Sequence, residues 1–433
     1  MNFVLMAALP RACALACLAW ATTGAPLPAG AQVPPPVLPA TATALQVLAD
    51  LPQVRAARAG IPLAQARQQR LEAGPHDWVA KAASHRRSER QGPRFMESEI
   101  GIEKALRWPG KFTADQQLGA SEMTLGQLGY ADAWHEAARG LLTDWFDTLR
   151  DLRNATLLEE QTRLTTRQLA ITQRRVQAGE AAKLELLTTQ AEEARLQAQA
   201  TRARAQATLR LQSLLRRYPG LPDPGKGLAG DAGLAPPEPA DLPSAEQGAA
   251  QILEDNHELE LAEARAAQAQ LQARRTALER QPDLTLGVRA TRERGGQEQV
   301  LGVYVSLPLG GAGRRADAQA ALAQADIAQE ELARTRQRIQ AEAWRTASEL
   351  GQTRNTREQL HKALGQIQQS AHLQARAYEL GESPLSDLLL ARRNALEALL
   401  AADTATLDEM QAQARWLLDS HRLWTAPPSE TGH

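Results

Sequence analysis

Cysteine and aromatic residues are scarce in this chain of 433 residues. Both cysteines, Cys13 and Cys17, lie near the N-terminus, and aromatic side chains make up 4% of the sequence. Disulfides, thiolate catalysis and cysteine-ligated metal therefore have no candidates in the rest of the chain. The prevalence of Ala, Leu, Gln, Arg and Glu is typical of long helices and coiled coils rather than of an α/β enzyme.

A large charge of either sign and long apolar segments are also missing. The formal net charge is −1, whereas nucleic-acid-binding proteins usually carry a clear basic excess. Beyond the N-terminus no run of about twenty apolar residues occurs, which argues against a bundle of membrane-spanning helices. The lack of long apolar runs does not exclude a membrane β-barrel, because the strands of such a barrel are short and alternate apolar with polar residues.

The N-terminus has the features of an export signal. Arg11 precedes the apolar stretch 12–21, and the small residues Ala29, Gly30 and Ala31 follow. This pattern predicts a signal peptide at 1–31 that is cleaved from the mature protein. A buried helix is the alternative interpretation. Because both cysteines fall within the predicted signal, the mature chain would contain none.

The remainder of the chain consists of two copies of one design. Gly179 and Gly381, 202 residues apart, are each followed by a glutamate, by an acidic residue six positions on and then by a Leu-Leu pair. A second pair of similar segments, 55–77 and 260–283, lies upstream in the same order. We predict a first repeat at 32–218, a connection rich in Pro and Gly at 219–245, a second repeat at 246–426 and a short tail at 427–433.

Each repeat is predicted to contain an opening helix, two strands and a long helical hairpin. Segment 314–380 contains no proline and would extend about 100 Å at 1.5 Å per residue. Helices of this length must pack on each other as an antiparallel coiled coil. The strands are predicted within 76–108 and 283–309, and the hairpin tips near residues 179 and 381. Pro62 is expected to interrupt the opening helix of the first repeat.

The strand segments alternate apolar and polar side chains. In 96–108 the even positions are mainly apolar, whereas Glu97, Glu99 and Glu103 occupy the other face. The same period of two recurs at 284–290 and 301–307 and predicts strands with one apolar face. A small soluble sheet packed against the helices fits this pattern, and so does a barrel. Four strands cannot close a barrel alone, but several chains together could, and closure removes the exposed edges.

Taken together, these motifs resemble the outer-membrane efflux protein family, the TolC-like exit ducts of Gram-negative bacteria. The resemblance covers nearly the whole mature chain. It is carried by the turns at 179–187 and 381–389, by Pro-Asp-Leu-Thr-Leu at 282–286 and by Leu-Pro-Leu-Gly at 307–310. It implies a homotrimer in the outer membrane that extends into the periplasm. Three chains would share one twelve-stranded β-barrel, and their helices would form an α-helical tunnel.

The resemblance also implies partners and cargo. A periplasmic adaptor protein and a proton-driven inner-membrane pump would bind the duct, and its barrel would contact outer-membrane lipid. Trp108-Pro109-Gly110-Lys111 is similar to the cobalt–zinc–cadmium branch of the family, so heavy-metal cations are one candidate cargo. Drugs, dyes and secreted polypeptides are the others.

Residues at the two hairpin tips match functional positions of the family. Asp387 matches an acidic ring of the periplasmic gate, Tyr378 matches a tyrosine that holds the gate shut, and Glu185 is the equivalent acid of the first repeat. Leu390 and Ser383 depart from the family, which has a second acidic residue and a latch arginine there. The tip that the adaptor contacts is matched by four residues: Gly179, Glu180, Gly381 and Glu382.

The charged face of the strands would line the lumen of such a duct. Glu97, Glu99 and Glu103 would then form rings, which favour cations. The alternative is that these glutamates are ordinary solvated charges.

Two other classes of function fit parts of the sequence. A soluble periplasmic coiled-coil adaptor or scaffold would explain the helices and the export signal but not the strands. A helical-bundle enzyme is the second alternative, but the eight histidines are scattered. The chain also contains no His-x-x-x-His, glycine-rich phosphate loop or Gly-x-Ser-x-Gly. We therefore expect a duct that is not an enzyme and that carries no metal or cofactor.

Overall fold

The computed structural model describes residues 37–88, 90, 92–228, 234 and 242–426. The predicted signal at 1–31, the tail at 427–433 and most of the connection at 229–241 lie outside the described residues. Helices predominate, and four strands form one antiparallel sheet. The prediction of a mainly helical chain with a small β part is confirmed.

The first half contains four helices and two strands: α1 (Thr41–Asp50), α2 (Pro52–Ala73), β1 (Val79–Ser88), β2 (Arg94–Leu106), α3 (Pro109–Gln177) and α4 (Lys183–Arg217). A short helix, α5 (Gly225–Leu228), follows. The second half repeats the order: α6 (Ala245–Glu254), α7 (His257–Leu278), β3 (Leu284–Glu293), β4 (Glu298–Ser306), α8 (Ala312–Glu379) and α9 (Leu385–Asp419).

Corresponding helices of the two halves have nearly the same length. α1 and α6 both contain 10 residues, and α2 and α7 both contain 22. The hairpin helices contain 69 and 35 residues in the first half and 68 and 35 in the second. The two halves are therefore built to one plan, although their sequences differ at most positions.

The opening helix of the first half is interrupted at a different place from the one expected, and the opening helix of the second half, which was not expected to be interrupted, is divided as well. Pro62 lies inside α2, and the helix continues through it. The interruptions fall instead at Leu51, before Pro52, and at Asn256, whose side chain accepts a hydrogen bond from the Leu259 amide at 2.9 Å. Pro62 removes one backbone hydrogen bond, but the packing of α2 along α3 maintains the helix on both sides of it.

The two strand pairs form a single sheet in the order β1-β2-β3-β4, because β2 of the first half pairs with β3 of the second. Ile102 lies opposite Ala80 and Val288, and Val288 lies opposite Val303. The register therefore brings the apolar positions of all four strands to one face of the sheet. A three-residue 3-10 turn at Arg294–Gly296 connects β3 to β4.

The main hydrophobic core lies around the middle of α3 and includes residues of both halves. Trp134 and Trp145 are each 2% exposed, and their indole N–H groups donate to the carbonyls of Trp424 (2.8 Å) and Val37 (2.9 Å). These buried indoles fix the chain segments that enter α1 and leave α9 against α3. No helix in the described part of the chain has both the length and the hydropathy to cross a membrane.

A buried ionic network joins the sheet to the helices. The Nζ of Lys111, which is 1% exposed, lies 2.9 Å from Glu279 Oε2 and 3.0 Å from Asp283 Oδ1. The second oxygen of Asp283 lies 2.7 Å from His76 Nε2. Although partial burial opposes ionisation, His76 and Lys111 hold the pKa of Asp283 below its ordinary value. Lys111 thus connects α3 to the segment entering β3, and Asp283 connects that segment to the one entering β1.

A second ionic cluster lies beside it. The carboxylate of Asp115, which is 4% exposed, accepts hydrogen bonds from Arg107 Nη1 at 2.7 Å and from Arg275 Nε at 2.5 Å. Arg107 also donates to the carbonyl of Leu71 at 2.7 Å. Within the described residues no strand makes an extended contact with a helix. The two ionic clusters, which we call the junction network, are therefore the main non-covalent attachment of the sheet.

Three histidines from distant parts of the chain meet near the end of α9. The ring of His421 lies 4.5 Å from that of His257 and 5.3 Å from that of His135, measured between centroids. Burial lowers the pKa of His421 to about 4, and the neighbouring His257 and His135 contribute to the same direction. Hydrogen bonding by His135 and the charge of Arg139 outweigh burial and hold the pKa of Asp419 below its ordinary range.

This histidine cluster predicts a loss of stability in mild acid. His421 is neutral in the folded chain down to pH of about 4, whereas the unfolded chain takes up a proton near pH 6.5. Its contribution to stability is therefore complete above pH 6.5 and lost as the pH falls towards 4. Because the ring is only half-buried, we expect a loss of about 1–2 kcal/mol, measurable by denaturant unfolding at several pH values.

His421→Asn is the matched variant, because the backbone φ of residue 421 is +58° and asparagine tolerates this region. Between pH 6.5 and 4.5 its unfolding free energy should fall less than that of the wild type. Equal losses in the two proteins would contradict the assignment to His421.

Candidate functional site

The two hairpin turns share one backbone geometry. Gly179 and Gly381 adopt φ of +76° and +78°. In each turn the amide after the glycine donates to the carbonyl five residues earlier, from Glu180 to Arg175 at 2.8 Å and from Glu382 to Ala377 at 2.9 Å. This is the Schellman arrangement, which places glycine at the left-handed position. The Gly-Glu pairs repeated in the sequence therefore encode two equivalent helix ends.

The predicted adaptor-contact residues are on the surface of these turns. Glu180 and Glu382 are exposed. No heavy atom lies within 4 Å of the place where a Cβ would be added at Gly179 or Gly381. The positive φ, rather than crowding within the chain, is thus what requires glycine here. The space around both glycines is open to a second molecule.

Tyr378 connects the two halves beside the turns. Its hydroxyl accepts a hydrogen bond from Arg175 Nη1 at 2.7 Å, and the guanidinium carbon of Arg175 lies 5.5 Å from the centroid of the ring. The ring packs against a small cluster formed by Leu385, Leu388 and Leu389. Because Arg175 belongs to the last turn of α3, this contact ties the end of the first hairpin helix to α8 and α9.

Sequence reasoning missed the arginines around this tyrosine. Arg175 has alanine at the equivalent position of the second repeat, Ala377, so the duplication gives no indication of it. Arg392 of α9 is also close. Burial lowers its pKa from the ordinary value, against the opposing influence of Tyr378 and Glu379. Arg392 Nη1 donates to Gln168 Oε1 of α3 at 3.5 Å. No pattern in the single sequence therefore points to Arg175.

The two predicted gate acids have different surroundings. Asp387 is exposed in the first turn of α9, where it accepts a hydrogen bond from Ser386 at 3.2 Å. It lines a groove between α8 and α9 together with Leu390. Glu185 is half-buried, and one of its carboxylate oxygens has no hydrogen-bond partner among the described residues. Within those residues neither acid shares a hydrogen bond with Tyr378.

Ser383, at the position of the expected latch arginine, has a local role. Its hydroxyl accepts a hydrogen bond from Gln374 Nε2 of α8. The serine thus connects the turn back to α8.

The apolar face of the sheet is exposed. The exposed fraction is 65% for Ile100, 79% for Leu301 and 82% for Val303. In water such a face would normally be packed against another element, since exposed apolar patches of this kind mark a contact with a partner or with lipid. In the described residues the apolar face of the sheet is therefore free of helices, whereas a soluble sheet would pack this face against them.

The opposite face carries ion pairs. Glu103 accepts hydrogen bonds from Lys81 Nζ at 2.6 Å and from the hydroxyl of Tyr304. Glu97, which is 9% exposed, lies 3.1 Å from Arg87 Nε. Glu99 forms no ion pair with a described residue. Two of the three predicted lumen charges are therefore neutralised by neighbours on the same face.

The Trp108-Pro109-Gly110-Lys111 stretch has a structural role. Lys111 belongs to the junction network, and Trp108 Nε1 donates to the carbonyl of Pro282 at 2.8 Å. The sequence contains two Glu-x-x-His pairs, at 254–257 and 358–361. Over the described part of the chain no group of three or more His, Cys, Asp or Glu is arranged to hold a metal ion.

Several solved structures share this fold and are described as membrane proteins or outer-membrane channels. A membrane protein from Pseudomonas aeruginosa aligns with a TM-score of 0.75 at 15% identity, over 93% of each chain. The CmeC outer membrane channel of Campylobacter jejuni gives 0.73 at 15% identity, over 90% of this chain and 87% of that one. The outer-membrane channel OprN gives 0.72 at 18% identity, over 89% and 91%. No protein-family model and no curated protein matches the sequence.

Proposed function

We propose that this chain is a subunit of a TolC-like exit duct in the outer membrane, which extends into the periplasm and conducts its cargo passively. The observation that carries the proposal is the polarity of the sheet. Its apolar face is exposed, whereas the other face holds the ion pairs of Glu97 and Glu103. Lipid would cover the first face and water would fill the space beside the second, as in a membrane barrel.

The open edges of the sheet support closure by further copies of the chain, and the resemblance to TolC-like ducts implies that there are three. β1 and β4 are the outermost strands, and the backbone groups on their outer sides need partners in lipid. Because the strands are antiparallel and four in number, β4 of one chain can pair antiparallel with β1 of the next. Three chains would close a ring of twelve strands, an even number within the range known for such barrels.

A soluble periplasmic scaffold accounts for the helices but not for the sheet. A scaffold would bury Ile100, Leu301 and Val303 against the helices. Their exposed fractions of 65–82% argue for the duct.

The gate is proposed at the hairpin turns. Tyr378, bonded to Arg175, would hold the hairpins of the two halves together, and Asp387 with Glu185 would supply the acidic constriction. The open space around Gly179 and Gly381, with Glu180 and Glu382 beside them, would receive a periplasmic adaptor protein, which would connect the duct to a proton-driven inner-membrane pump.

The cargo is proposed from charge. Glu99 is the lumen-side carboxylate without an ion pair in the described strands, and its threefold repetition together with Asp387 would favour cations, including heavy-metal ions. Lys111 adds no support for metal transport, because it is buried in the junction network. The metal tolerance of a deletion strain is the direct measurement of this cargo.

Val303→Arg tests the membrane location. Placing a guanidinium on the lipid face should destabilise insertion by about 2–4 kcal/mol per chain. The amount of heat-modifiable trimer in the outer-membrane fraction should therefore fall sharply, as measured by electrophoresis of unheated samples. Val300→Arg is the matched control. Val300 lies on the same strand as Val303 but, like its partner Thr291, on the opposite face of the sheet. Release of the wild-type protein by osmotic shock would overturn the proposal.

Tyr378→Phe tests the gate. It removes a hydrogen bond from a charged donor, which contributes about 1.5–3 kcal/mol. The open fraction of channels in planar bilayers should rise about tenfold or more, and Asp387→Ala should add to the effect. Tyr218→Phe is the control, because Tyr218 also loses a hydrogen bond, to Asp144 at 3.0 Å, away from the turns. Currents like those of the wild type in Tyr378→Phe would refute the gate assignment.

Gly381→Asn tests the adaptor contact. Asparagine tolerates the positive φ, so the turn should persist while a side chain enters the open space. Photocrosslinking from position 382 in intact cells should then weaken severalfold, and the trimer should remain. Gly351→Asn, in an open position of α8, should leave the crosslink unchanged. A crosslink of full intensity in Gly381→Asn would show that the adaptor does not contact the space beside this glycine.

A further inference from the structure

The exposed apolar face of the sheet ends in a group of arginines. Arg86, Arg94 and Arg292 lie at the end of the strands remote from the helices, and the register places them on the apolar face: Arg86 is opposite Met96, Arg94 is opposite Ser88, and Arg292 is opposite Ser98. We call these three residues the arginine row. All three are exposed.

The described carboxylates near the arginine row are paired with other cations or lie on the opposite face of the sheet. Arg87, on the other face, lies 3.1 Å from Glu97 and 3.6 Å from Glu293. Arg294 lies 3.2 Å from Glu298. Among the described residues at this end of the sheet, Glu97, Glu293 and Glu298 are thus already paired, and Glu99, opposite Thr291, lies on the other face. None of the three arginines of the row forms an ion pair with a described residue. Their positive charge is available to an external anion.

The distance between the two ends of the apolar face matches a bilayer. Trp78 and Trp108 are 65% and 45% exposed at the helix end of the strands, where aromatic side chains commonly meet lipid headgroups. Ser98, in the row of Arg292, is ten positions from Trp108. This corresponds to about 34 Å along a strand and to about 26 Å across the membrane at a tilt of about 40°, close to the apolar band of such barrels.

We propose that the arginine row binds the phosphate groups of lipid headgroups in the leaflet that surrounds the strand-connecting loops. The inference rests on the proposed function, because it requires the apolar face to be in lipid. Arginine presents a planar fork that binds phosphate oxygens in pairs. Segments 84–99 and 288–299 contain arginine as their cation and no lysine.

A lipid phosphate fits this surface better than free phosphate does. Met96, 60% exposed, lies directly opposite Arg86, and the apolar rows of Ile100 and Leu301 begin immediately below. A ligand held by these arginines therefore has an apolar surface beside it, which acyl chains would cover. Inorganic phosphate would gain only the charge interaction, which salt screens.

The test uses the full chain purified in detergent micelles. Micelles are doped with phosphatidic acid, which carries a phosphate monoester, or with phosphatidylcholine, and the lipid retained per chain is counted by native mass spectrometry. The wild type should retain about tenfold more phosphatidic acid than phosphatidylcholine, as expected for charge-assisted hydrogen bonds. Arg86→Gln, Arg94→Gln and Arg292→Gln combined should reduce this ratio to about twofold or less.

Two control variants separate charge from position. Gln at Arg55, Arg58 and Arg334, which are exposed on α2 and α8, makes the same change in net charge and should leave the ratio unchanged. Lys at the three positions of the row keeps the charge and the fold, and should retain part of the preference. A ratio in the Gln row variant equal to that of the wild type would overturn the inference, as would equal loss in the helix variant.

Three further outcomes distinguish a lipid ligand from free phosphate, and failure of the arginine row from failure of the proposed duct. If inorganic phosphate at the concentration of the lipid displaces phosphatidic acid completely, the site takes free phosphate and the lipid assignment is wrong. A wild type that enters lipid but shows no preference for phosphatidic acid refutes the arginine row alone. A wild type that never associates with micelles or vesicles refutes the proposed duct.

Discussion

The non-covalent attachment of the sheet to the helices is ionic rather than hydrophobic, and the rest of the architecture depends on it. In the described chain no strand packs extensively on a helix, and the apolar face of the sheet points away from protein. Lys111, Asp283 and His76 in one cluster, and Arg107, Asp115 and Arg275 in the other, hold the strand ends to α2, α3 and α7. Removing one partner of such a buried network would leave an uncompensated charge, at a cost of about 3–5 kcal/mol. A polar joint lets the sheet keep its apolar face free while its position relative to the helices stays fixed.

The duplication explains the plan of the chain, and the departures from it fall where the function is proposed. The two turns have the same Schellman bonds and nearly the same φ at Gly179 and Gly381. Around these equivalent turns, however, the side chains differ. Arg175 faces Tyr378 while its twin position holds Ala377, and Glu185 is half-buried while Asp387 is exposed. A symmetric scaffold thus carries an asymmetric contact between its halves.

The periodicity of apolar residues and the positions of proline and glycine predicted the helices and strands, because these signals are local. The period of two at 96–108 and 284–307 predicted the strands and their shared apolar face, and proline-free stretches predicted the long helices. The prediction of a helix break at Pro62 was wrong, since the effect of a proline on a helix depends on the packing around it, which a single sequence does not show. The partners of Tyr378 and Glu103 could not be predicted either. Arg175 is 203 residues from Tyr378 and Tyr304 is 201 from Glu103, so both contacts depend on how the repeats are placed together.

The open outer sides of β1 and β4 have a consequence for biogenesis. In the proposed duct, a single copy that has not yet joined its neighbours would present two unpaired strand edges and the exposed side chains of Leu301 and Val303 to water. Such surfaces aggregate readily. A newly exported polypeptide of this design would therefore require an escort that shields its strands during transit, and closure of the ring would have to be coupled to delivery into the bilayer.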